Sequence, residues 1–90
     1  MDRSEVYKLI DGERAYQDSL WNGETTSSGG LHTPEEWIAY MEDYLLEAKH
    51  IVSREARQTA YPKAMAVIRK VTAMGVIAME QNDTPARQPK

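Results

Sequence analysis

The ninety-residue sequence predicts an all-α fold, a three-helix unit that assembles with other copies into an oligomeric helical bundle. Three observations predict it. Thr33-Pro34-Glu35-Glu36 is a strong helix start, apolar residues recur at helical rather than strand spacing, and the segment from Ala64 to Met79 is apolar around most of its circumference. The expected helices span about 4–21, 34–55 and 62–82, in a single domain over residues 1–82. A flexible loop at 22–32 and a disordered tail at 83–90 complete the chain.

The first helix is expected to start with Ser4 as N-cap, with Val6, Ile10, Gln17, Leu20 and Trp21 near one face. Gly12 interrupts it at a cost of about 1 kcal/mol relative to Ala, which leaves room for a kink or close packing there. Asn22-Gly23 is a stop, and Glu24 to Leu31 reads as a loop, either a plain connection or a lid over a site.

In the second helix Thr33 is the N-cap, Pro34 the first helical residue and Glu36 the partner that completes a capping box. Trp37, Met41, Tyr44, Leu45, Ala48, Ile51 and Val52 form its expected buried stripe. Tyr61-Pro62 is read as the start of the third helix. A helix apolar on nearly every side is buried on nearly every side, and two partner helices cover only part of such a surface. Self-association through 62–82 is the expected remedy.

Composition narrows the function classes. The chain is 41% hydrophobic and 28% charged, too apolar for wholesale disorder. Its net charge of −3 favours neither nucleic acid nor an anionic membrane surface. There is no cysteine, so disulfides and thiolate metal sites are excluded. No apolar stretch reaches the roughly 20 residues of a membrane span, and no secretory signal is visible, so a cytoplasmic protein is expected. Gly-rich phosphate loops and a nucleophile elbow are also absent from the sequence.

Several side chains carry candidate chemistry. Asp43 and Glu47, four residues apart, share a helix face that could hold one Mg²⁺, although solvated ion pairs with Lys49 or Arg54 are the commoner outcome of such spacing. Arg69 and Lys70 interrupt an apolar helix. They must reach solvent, pair with an acid such as Asp43 or Glu47, or bind an anion. Trp21, His32 and Thr33 flank the loop, where a helix N-terminus can receive a phosphate and an indole can stack on a base. Core packing for Trp21 and Trp37, and a surface position for His32, are the plainer alternatives.

The run Gly12-Glu13-Arg14-Ala15-Tyr16-Gln17-Asp18-Ser19-Leu20-Trp21 resembles the ER-x-x-QD-x-x-W opening of small phage and prophage proteins related to the MazG-like all-α nucleotide pyrophosphatases. His32-Thr33, Glu36-Trp37-Ile38 and Glu42 through Ala48 resemble the group's second segment, and Arg69 to Met74 with Met79-Glu80-Gln81 its closing helix. The similarity covers most of residues 5 to 82.

The resemblance implies an oligomeric all-α fold that binds nucleoside triphosphates with Mg²⁺, using an E-E-x-x-E cluster on one helix and an E-x-x-D pair on the next. Several carboxylates are needed there to hold metal and orient water against the α-phosphate. Laid on this sequence, the first cluster becomes Asp43-Tyr44-Leu45-Leu46-Glu47, and no acid lies between Ala56 and Met79. The leading expectation is therefore a phage-type accessory protein that binds a nucleotide or a nucleotide-derived, even cyclic, signal without turnover. Such a protein would sequester a host defence messenger. Arg14, Trp21, His32, Thr33, Arg69 and Lys70 are its expected ligand-binding residues, with no catalytic residue and no cofactor. One alternative is a Mg²⁺-dependent pyrophosphatase with Asp43 and Glu47 on the metal. Another is a protein–protein interaction module built on the third helix.

Overall fold

A computed structural model describes residues 1–26 and 29–89. Ser27, Ser28 and Lys90, part of the expected loop and tail, lie outside the described residues. Three helices account for all the regular structure among the described residues: α1 (Arg3–Leu20), α2 (Pro34–Arg54) and α3 (Arg57–Asn82). None of them is long and apolar enough to cross a membrane.

The start of α1 is set by Asp2 rather than Ser4. The Asp2 carboxylate accepts from the Glu5 backbone N–H at 2.9 Å and from the Ser4 hydroxyl at 2.7 Å, so the helix opens with Ser4 already inside it. Gly12 is exposed, and a Cβ placed there would meet nothing within 4 Å. It makes no close contact, and α1 runs through it without a break.

The start of α2 follows the sequence expectation. The Thr33 hydroxyl accepts from Glu36 N–H, and the Glu36 carboxylate accepts from Thr33 N–H at 3.0 Å. Only Glu55 and Ala56 separate α2 from α3, and a Lys63–Glu55 ion pair of 2.8 Å spans the break. Consequently α3 begins at Arg57, five residues before the expected start. Pro62 lies in its second turn, where the missing N–H costs one bond to the Gln58 carbonyl.

Helix α3 lies at the centre. Helix α2 packs antiparallel along it, burying Trp37 against Met74 and Ile77 at one end and Ala48 against Ala64 and Val67 at the other. On another side lies α1, and among the described residues α1 and α2 do not pack against each other. The expectation that the third helix is buried on more than one side is met within the protomer.

The rest of that helix is not covered. Met65, Ile68 and Met79 stay exposed, as do Leu45 and Val52 of the expected α2 stripe and Val6 and Leu20 of the α1 face. The buried core is small for the chain, being Ile10, Trp37, Met74, Val67, Ile77 and four alanines. The Cα radius of gyration is 14.8 Å, and the extents are 40 × 38 × 23 Å. A 90-residue globule has a radius near ~12 Å, so this protomer is spread flat.

Candidate functional site

The α1–α3 contact is polar where hydropathy predicts apolar packing. Gln17 is 1% exposed and donates from Nε2 to the Lys70 carbonyl at 3.1 Å. Arg14, also buried, donates to Gln17 Oε1 at 3.0 Å, pairs with Asp18, and stands 3.6 Å from Glu80. Its Nε finds no hydrogen-bond partner among the described residues. The Arg69 Nε donates to Glu13 Oε1 at 2.8 Å. The run from Glu13 to Gln17 thus supplies the seam between α1 and α3, because its Glu, Arg and Gln fall on the single face that meets that helix.

At the far end of this seam the chain turns back through a loop that α3 holds in place. Gln81 accepts from Trp37 Nε1 at 2.8 Å and from His32 N–H at 3.1 Å, while its own Nε2 donates to the Gly30 carbonyl at 2.8 Å. Asn82 donates to the His32 carbonyl. Gly30 has φ of +81°, and a Cβ there would lie 2.5 Å from the Trp21 carbonyl oxygen, so only glycine lets the loop pass so close. In the sequence Gln81 stands out only as part of the Met79-Glu80-Gln81 run and carries no role, because its partners lie 44 to 51 residues away and leave no local pattern.

The clamp shapes a pocket of about 350 Å³ lined by Trp21, Thr26, His32, Trp37, Tyr40, Tyr44 and Met74. Aromatic rings form most of its wall. Trp21 and Trp37 stand 6.2 Å apart with a 52° tilt, and His32 meets Trp37 and Tyr40 edge-on at 5.0 and 5.1 Å. The His32 Nδ1 is buried, has no hydrogen-bond partner among the described residues, and lies 3.6 Å from Glu36 Oε2. The Glu36 carboxyl is held below the ordinary glutamate range, chiefly by its bond from the Thr33 backbone N–H and then by the Thr33 and His32 side chains. Lys70 sets its ammonium 4.5 Å over the Tyr44 ring, beside the pocket.

The expected ligand residues therefore divide. Trp21 and His32 line the pocket, and Lys70 lies next to it. Thr33 uses its hydroxyl to cap α2. Arg14 and Arg69 turn to acids of the α1–α3 seam, and Glu13 of α1, rather than Asp43 or Glu47, is the partner of Arg69. Asp43 and Glu47 are exposed on α2. Among the described residues no three potential metal ligands come together.

Among the described residues no carboxylate lines the aromatic pocket. Its wall is aromatic, completed by Thr26 and Met74, and the Lys70 ammonium lies over the ring of Tyr44. The chain matches no protein-family model, no curated protein and no solved structure.

Proposed function

We propose that the protein binds a nucleotide or nucleotide-derived signal in the aromatic pocket and does not turn it over. One observation carries the reading: four aromatic side chains and His32 enclose a space of small-ligand size, with the Lys70 ammonium over one of the rings. A base stacked on an aromatic face gains about 1–3 kcal/mol whatever its identity, and a single ammonium matches a single phosphate. The phage setting and the sequestration of a host defence messenger rest on the residue likeness alone. The same reading includes self-association through the 62–82 segment, supported by the apolar surface that α1 and α2 leave open.

Calorimetric titration against linear and cyclic nucleotides tests the proposal, with nucleoside monophosphates and phosphodiesters expected to bind better than triphosphates. No heat from any member of the panel would overturn it. The pyrophosphatase alternative needs carboxylates that Asp43 and Glu47 do not complete within one protomer. It is tested by Mg²⁺-dependent pyrophosphate release that Asp43→Ala or Glu47→Ala abolishes.

A further inference from the structure

On the side of the α2–α3 layer away from the aromatic pocket lies an uncovered apolar face. Helix α2 contributes Ile38, Leu45 and Val52, seven residues apart and each about half exposed. Helix α3 contributes Met65, Ile68 and Met79, also about half exposed. The two stripes adjoin, since Ile38 and Met41 share a surface depression with Ala78 and Met79. At about 100° per residue, Tyr40 of the pocket and Leu45 of this face project about 140° apart around α2.

The spacing of these side chains, though not their identity, is symmetric along each helix. Ile38 and Val52 are equidistant from Leu45; Met65 and Met79 are equidistant from Thr72, and so are Ile68 and Val76. The two midpoints also lie at nearly the same height in the fold. Tyr44, next to Leu45, packs against both the Trp37–Met74–Ile77 cluster and the Ala48–Ala64–Val67 cluster, and it receives the Lys70 ammonium on its ring.

Gly75 adds a separate observation. It lies inside α3 where a Cβ would meet nothing within 4 Å, so the protomer itself gives no steric reason for glycine. A glycine inside a helix is destabilising relative to alanine, and it suits a close approach by another chain.

We infer that this face binds a second copy of the chain, a reading that sharpens the self-association proposed above. A two-fold axis passes near Leu45 and Thr72 and sets α3 antiparallel on α3 and α2 antiparallel on α2. In that arrangement Met65 meets the other copy's Met79, and Ile68 packs over the other copy's Val76 and Gly75. A second copy is the occupant because the pattern's spacing is its own reverse and no charge lies along its centre line. Six half-exposed apolar side chains of roughly 150–200 Å² each leave about 450–600 Å² per copy, or roughly 900–1,200 Å² for the pair, which reaches only the lower edge of stable interfaces. Both aromatic pockets remain open on the outer surfaces of the dimer.

The absence of cysteine makes the test direct. Thr72→Cys and Leu45→Cys, each at a two-fold position, are expected to give covalent homodimers under mild oxidation at micromolar protein, whereas Asp11→Cys on exposed α1 is not. Leu45→Glu, at a site exposed in the protomer, is expected to weaken dimerisation by at least ~100-fold in sedimentation while circular dichroism stays helical. A monomeric wild type, equal cross-linking of Asp11→Cys, or an undisturbed Leu45→Glu dimer would overturn the inference. Nucleotide titration of Leu45→Glu separates the two readings. If no nucleotide binds wild type or variant while Thr72→Cys still cross-links, the interface stands and the ligand proposal falls.

Discussion

The indole N–H of Trp37 donates to Gln81 Oε1 at 2.8 Å, tying the start of α2 to the end of α3. The same oxygen accepts the backbone N–H of His32, so one amide orients both an aromatic wall of the pocket and the loop beside it. Gln81→Leu should leave the Trp37 donor and the Gly30 carbonyl without these partners and cost about 1–3 kcal/mol of stability. Chemical denaturation read by tryptophan fluorescence checks the stability. Ligand affinity should fall as well, because the 30–32 segment loses its anchor.

Gly30→Ala should destabilise by about 1–3 kcal/mol, because the residue has positive φ and its Cβ would press on the Trp21 carbonyl. Gly12→Ala is the matched comparison. It lies in open space inside α1 and should stabilise by up to about 1 kcal/mol. Opposite signs from two glycine-to-alanine changes are measurable as shifts in thermal midpoint. Equal signs would show that the loop does not pass over Trp21 as described.

Removing the charge at Lys70 separates a ligand role from a packing role. In Lys70→Met the loss of the ammonium over Tyr44 should cost stability only about 0.5–1 kcal/mol. Nucleotide affinity should fall about tenfold, and its salt dependence should flatten. An unchanged affinity with an unchanged salt slope would remove Lys70 from the site.

The capping box at α2 makes a pH prediction. The folded protein holds the Glu36 carboxyl below its ordinary range, mainly through the Thr33 N–H bond, so the folded state favours the ionised form. The resulting stabilisation is fully present above the ordinary glutamate range and is lost as pH falls through the lowered folded value. Asp2, lowered by its bonds from Glu5 N–H and the Ser4 hydroxyl, acts in the same direction at the start of α1. Glu36→Gln should therefore reduce the acid-side slope of stability, and a second change, Asp2→Asn, should reduce it further. Thr33→Ala should cost about 1 kcal/mol at neutral pH.

What the sequence made legible was local. The capping box of α2 needs four consecutive residues, and it reads correctly because the partners sit three apart. The start of α3 does not, since a proline is equally readable as a first-turn residue or as a tolerated interruption one turn later. Leu45 and Val52 read as part of the buried stripe because hydropathy marks apolar residues without saying which neighbour covers them. Among the described residues both stay about half exposed. The reverse error concerns Glu13 and Arg14, polar residues that average hydropathy places in water and that the fold buries against α3. Their spacing with Gln17 was visible, but only the position of α3 turns that spacing into a seam.

That helix α1, among the described residues, packs on α3 and not on α2 has a further consequence for motion. Its seam is a set of amide, guanidinium and carboxylate contacts around few buried apolar atoms, whereas α2 and α3 share the indole, the methionine and the alanine-lined contact. The chain should therefore open in two stages, α1 first as a separate foldon, with α2 and α3 still zipped together. Amide protons of residues 6–20 should exchange with deuterium well before those of 64–78. In that half-open state Trp21 leaves the pocket with its helix, so release of a bound molecule would be paced by fraying at the N-terminus.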